Sequence, residues 1–97
     1  MGQHPVNIVY PIAEATYPIV DPPVGGVASA YVTASFGTTC EGGEQEVEWG
    51  FDSTPVGNAR FYDEFSAQFT YNLPGGRHIF WVRSSCGENK VEFRVGV

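Results

Sequence analysis

Apolar and polar residues alternate with a period of two over most of this chain, and that period, not the helical one, sets its elements. The clearest run is the last third. His78, Phe80 and Val82 alternate with Ile79, Trp81 and Arg83; further on, Val91, Phe93, Val95 and Val97 alternate with Lys90, Glu92, Arg94 and Gly96. Joined at Cys86-Gly-Glu-Asn89, the two arms read as an antiparallel hairpin with one buried face. Upstream, Ala30, Val32, Ala34 and Phe36 oppose Tyr31, Thr33 and Ser35 in a strand over residues 28–39. Over residues 45–52, Val47, Trp49 and Phe51 oppose Glu46, Glu48 and Asp52; the apolar set must face inward, because carboxylates do not belong in a core. Residues 59–62 make a brief strand, and Phe65, Ala67, Phe69 and Tyr71 alternate with Ser66, Gln68 and Thr70 in a longer one. The runs are separated by Cys40-Glu-Gly-Gly-Glu44, Thr54-Pro-Val-Gly-Asn58 and Leu73-Pro-Gly-Gly76, all turn signals.

Residues 1–27 differ from the rest. They hold Pro5, Pro11, Pro18, Pro22 and Pro23, and proline cannot donate to a ladder, so this region is confined to edge strands and loops. Val6-Asn-Ile-Val-Tyr10 reads as a short edge strand, residues 16–20 as a second short piece that switches sheets, and Asp21-Pro-Pro-Val-Gly-Gly26 as a turn cluster. The sum is an all-β chain of about seven strands with no helix, the pattern of a two-sheet antiparallel β-sandwich in one domain over residues 1–97.

Composition narrows the function classes. The chain is 42% apolar and 14% aromatic, too apolar for a disordered tail. Leu, Met and Lys occur once each while Val, Phe, Tyr, Thr and Gly abound, which favours strands. A net charge of −6 repels phosphate backbones, so nucleic acid is not an expected partner. No apolar run reaches the roughly 18 residues of a membrane helix, and the first residues lack the basic start and apolar middle of a signal peptide, so Met1 is expected to open a fragment of something longer.

Leu73-Pro-Gly-Gly-Arg-His78-x-Phe80-x-Val82, the Cys-Gly-Glu-Asn turn and Val91-x-Phe93-x-Val95 together resemble the end of a bacterial immunoglobulin-like or fibronectin type III-like domain. The opening Ile8-Val-Tyr-Pro-Ile-Ala-Glu-Ala-Thr-Tyr-Pro18 resembles the first strand of such domains. The resemblance implies an immunoglobulin-like β-sandwich, a module of a secreted or cell-surface protein used for spacing, adhesion or carbohydrate contact. Antibody-type domains pair cysteines in mid-strand across the core, whereas Cys40 and Cys86 stand at strand ends. If their strands are B and F of the immunoglobulin-like arrangement, the loops that follow share one end of the sandwich, and a Cys40–Cys86 disulfide is expected. Such a bridge implies an oxidising compartment; the alternative is two free thiols in a reducing one.

Candidate chemistry adds little. His78, in phase with Phe80 and Val82 and just past a glycine turn, is expected to be structural, as is Trp49; in the resembling families the His78 position often carries a side chain that bonds back across the strand corner. No nucleophile with a paired base, no phosphate loop and no His-Glu-x-x-His motif is present, so no catalytic residue is expected. Cys40, Cys86, His4 and His78 lack zinc spacing. Glu41, Glu44, Glu46, Asp52, Asp63 and Glu64 contain no Asp-x-Asp-x-Asp run for calcium and read as surface charge. Neither metal nor cofactor is expected. Trp81 is the exception: if Phe80 and Val82 point in, Trp81 points out, beside Arg83 and Glu48. An outward tryptophan among charges can stack on the C–H face of a sugar, or can cover the sheet or meet an adjacent domain. The expected function is thus a non-enzymatic spacer or interaction module, monomeric, whose partners are neighbouring domains of its parent protein. The alternative is a carbohydrate-binding module that holds polysaccharide through Trp81 and exposed Tyr10, Tyr17, Tyr31 and Tyr62.

Overall fold

The computed structural model describes residues 5–18 and 29–96. Strands β1 (Val6–Tyr10), β2 (Thr16–Tyr17), β3 (Ser29–Phe51), β4 (Thr54–Pro74), β5 (Gly76–Ser84) and β6 (Gly87–Val95) form one six-stranded sheet that curls into a half barrel. Among the described residues there is no helix. The expected turn cluster over residues 21–26 lies outside the described residues.

The count of strands falls below the expected seven or so because two pairs of expected strands fuse. β3 takes in residues 29–39 and 45–51 of the two expected strands, and β4 runs through the 59–62 and 65–71 stretches. The Glu-Gly-Gly segment does not end β3. Pairing with β4 resumes beyond it, from Cys40↔Asp63 to Glu44↔Tyr62, so residues 41–43 bulge from a continuous hairpin. Gly42 and Gly43, at φ 111° and 104°, give the bulge a backbone that other residues rarely adopt. The hairpin tip is Asp52-Ser53, between paired Phe51 and Thr54, rather than the Thr54–Asn58 stretch. Asp52 sits there at φ 55°, a conformation aspartate tolerates better than most residues. The final hairpin likewise turns at Ser85-Cys86, because Ser84 pairs with Gly87.

The bulge divides the long hairpin into two halves with different neighbours. Residues 35–38 of β3 pair with β1, and residues 47–51 pair with β5, on the edge opposite β4. β5 carries β6, and β2 lies parallel to β6 at Thr16↔Arg94. The chain therefore leaves β3 after β1 and joins β6 by β2 (Thr16–Tyr17). Both strands belong to the one sheet, so the change of sheet expected of residues 16–20 does not occur within the described part of that stretch; residues 19 and 20 lie outside the described residues.

Curling brings the two halves face to face. Phe36, in the first half of β3, lies 6.0 Å (ring centroids) from Phe80 of β5. Phe51, in the second half, stacks at 5.0 Å on Tyr71 of β4 and meets Phe80 at 4.9 Å. The buried set includes Val32, Ala34 and Phe36, then Val47 and Phe51, then Phe80, Val82, Phe93 and Val95, positions that alternation assigns to the interior. Trp49 is half-buried, packed at 5.0 Å on Phe36 and 5.8 Å on Phe65.

Candidate functional site: the outer face around Trp81 and Asp52

On β5, residues with odd numbers turn away from the interior, and the register aligns them with β3 and β6. Glu48 faces Arg83, which faces Glu88; Gly50 faces Trp81, which faces Lys90. Trp81, Arg83 and Glu48 thus share one outer face. The Arg83 guanidinium lies 5.2 Å above the Trp81 ring, and its nitrogens stand 3.9 Å from Glu48 and 3.5 Å from Glu88.

The underside of Trp81 is also occupied. Gly50 lies directly beneath it: a Cβ there would meet Trp81 Cζ2 at 2.6 Å, along with the Thr54 carbonyl and Pro55. The indole N–H donates to the Asp52 carbonyl at 2.7 Å. The ring is therefore laid flat on the sheet, with its polar handle spent and a guanidinium over its outer side. It is half-buried, not sealed in the interior. A shallow groove of about 750 Å³ runs past it, lined by Asp52, Pro55, Ile79, Trp81, Arg83 and Lys90 among others.

Asp52 fixes this corner. Its N–H donates to the Ile79 carbonyl at 2.7 Å, and its Oδ1 accepts the Ile79 N–H at 3.0 Å. Its Oδ2 lies 2.7 Å from His78 Nδ1, and His78 Nε2 lies 2.8 Å from the Pro74 carbonyl. A carbonyl only accepts, so Nε2 is the donor there. His78 is nearly buried, tilted 5.9 Å from Phe93. It ties the β3–β4 tip to the β4–β5 corner, a cross-corner bond of the kind the resemblance implied. Sequence reading placed Asp52 among surface carboxylates and missed this role. The signal was an aspartate directly after an inward phenylalanine and before a serine, which is tip chemistry.

At the other end of β5, Cys40 and Cys86 are joined, with Cα atoms 5.9 Å apart. Cys40 is buried at the bulge and Cys86 lies at the hairpin turn. Ser84 steadies this turn: its Oγ accepts from Cys86 N and Thr38 Oγ1 and donates to the Gly87 carbonyl.

The tyrosines do not gather into a platform. Tyr17 is half-buried edge-on against Phe93 at 5.8 Å, and its hydroxyl accepts the Ile12 N–H. Tyr31 and Tyr62 are exposed, but Tyr31 pairs with Asn72 near the end of β4 and Tyr62 lies near the middle of that strand, roughly 30 Å away at ~3.3 Å per residue. Among the described residues no group of His, Cys, Asp or Glu side chains converges as a metal cluster, and no helix is long and apolar enough to cross a membrane. Comparison with protein-family models, with curated proteins and with solved structures finds no match to this chain.

Proposed function

We propose that the chain is a non-catalytic immunoglobulin-like module, a spacer or interaction domain of a larger secreted or cell-surface protein. In this reading the curled sheet is two layers. β1 with residues 29–40 and 63–74 makes one; residues 44–51 and 54–62 with β5, β6 and β2 make the other. The observation that carries the reading is the path of the first strands: β1 lies on the first half of β3, and the chain then crosses to run beside β6. On this reading the strand orders correspond to A-B-E and C-F-G of an immunoglobulin-like arrangement, which supports the proposal. The Cys40–Cys86 bridge supports an oxidising, extracellular setting.

A spacer must resist extension, so force spectroscopy of the module between reference domains tests the proposal. The expected record is one cooperative unfolding event whose length gain grows by about 160 Å on reduction, as the 46-residue span between the cysteines is released at ~3.5 Å per residue. Extension with no resolved event would reject a load-bearing spacer.

The second reading, carbohydrate binding, is favoured by the groove beside Trp81 and opposed by the Arg83 guanidinium lying over the ring. Titration of tryptophan emission with chitin, cellulose and xylan fragments separates the two. A saturable change lost in Trp81→Ala would replace the spacer reading; a flat response would remove the alternative.

A further inference from the structure

The charges of the described residues are confined to part of the fold. Residues 29–40 and 65–76 contain no charged side chain. In the register Ser29↔Pro74 to Thr38↔Phe65 these two neutral segments are each other's neighbours. Their outer face is built from Tyr31, Thr33, Ser35 and Thr39 on β3 and Ser66, Gln68, Thr70 and Asn72 on β4. Every ion pair among the described residues lies elsewhere.

β4 is also an edge. Among the described residues it pairs only with β3, so its other side presents backbone N–H and C=O groups to an incoming strand. The usual protections are present at its two ends, Pro55 near one and Pro74 at the other, with Arg60, Asp63 and Glu64 around the bulge. They are missing from Phe65-Ser-Ala-Gln-Phe-Thr-Tyr-Asn72. That segment has alternating aromatic and small polar residues, no charge, no proline and no glycine, the composition that pairs with other strands.

We propose that residues 65–72 of β4 pair antiparallel with the same residues of a second copy of this chain, about a two-fold axis at Gln68. Self-complementarity selects this partner. With Gln68 opposite Gln68, Ser66 meets Thr70 on the outer face and small Ala67 meets large Phe69 on the inner one. Phe65 meets Tyr71, both half-buried in one copy and covered further by the other. Charge selects it as well. Two molecules of net charge −6 repel, and this is the stretch of edge along which they can meet without opposing like charges. Glu64 falls opposite Asn72, and the two Glu64 side chains stand about 27 Å apart at ~3.4 Å per residue, beyond the screening length of physiological salt. The inference goes beyond the spacer reading and revises the expectation of a monomer; it holds whether or not the module has a parent chain.

The test is sedimentation of the oxidised protein from 10 μM to 1 mM, with Gln68→Lys and Gln68→Glu variants. Gln68 is exposed, so both variants should fold as the parent does. The expected result is a reversible dimer in the parent, at least a tenfold weaker one in each variant, and recovery when the two variants are mixed in equal amounts, because lysine then opposes glutamate at the axis. A parent that stays monomeric throughout, or a dimer untouched by either variant, would overturn the proposal. So would variants that fail to recover on mixing, which would place the contact off the Gln68 axis.

Discussion

The two halves of the β3–β4 hairpin share a backbone and differ in almost everything laid upon it. Beyond the bulge, residues 44–51 and 54–62 carry charge on their outer face and are continued by β5 and β6. Arg83 there sits between Glu48 and Glu88, Trp81 is pinned over Gly50, and Asp52 is bonded to three residues of β5, His78, Ile79 and Trp81. Before the bulge, residues 29–40 and 65–74 carry hydroxyls and amides outward, and β1 pairs with residues 35–38 on the side away from β4. The interior is common to both, through Phe36, Phe51, Tyr71 and Phe80. The contrast teaches that core packing fixes the fold while the outer residues decide where another molecule can approach. A face whose side chains are already engaged with each other has little left to offer. A neutral face ending in an open edge has a row of backbone groups to spare.

Breaking the shared interior should do most damage. Phe80→Ala removes a fully buried ring that touches both halves, and a loss of about 4 kcal/mol in urea unfolding is expected. A loss below about 1 kcal/mol would mean that the halves are not packed on each other. Cys40→Ser with Cys86→Ser frees the bulge from the final hairpin; for a span of 46 residues the chain-entropy estimate is also about 4 kcal/mol.

Smaller changes sharpen the contrast on the charged side. Gly50→Ala drives a methyl into Trp81, Pro55 and the Thr54 carbonyl, and should cost about 2 kcal/mol, with a shift in tryptophan emission as the indole lifts. An unchanged spectrum would mean that Trp81 does not lie on Gly50. Asp52→Ala leaves His78 and the Ile79 N–H without their partner; because the carboxylate is partly exposed, about 1 to 2 kcal/mol is expected. Glu48→Gln weakens an exposed pair and should change stability by about 0.3 kcal/mol at most.

Alternation made the interior legible. Val32, Phe36, Val47, Phe80, Val82 and Phe93 face it because strand geometry sends every second side chain one way. Strand ends were harder to read. Gly42-Gly43 and Thr54-Pro55 look like punctuation, yet pairing on both sides carries β3 past the first, and β4 begins at the second. Turn residues report what the backbone can do locally, and long-range pairing decides whether it does so. The neighbourhood of Trp81, Arg83 and Glu48 followed from phase alone. The role of Asp52 did not, because it depends on a hairpin tip two residues from where turn chemistry alone places it. The neutrality of the 29–40 and 65–76 pair became visible only once register set the two segments side by side.

The most direct test of the contrast is amide hydrogen exchange, followed residue by residue at about 10 μM and at about 1 mM. Phe80, Trp81 and Val82, on a strand paired on both sides, should exchange only through global unfolding at either concentration. Within residues 65–72, the amides that point away from β3 should exchange quickly in dilute solution and become protected in concentrated solution. Protection of those amides that does not change with concentration would contradict the account, because the edge would then be covered within a single chain.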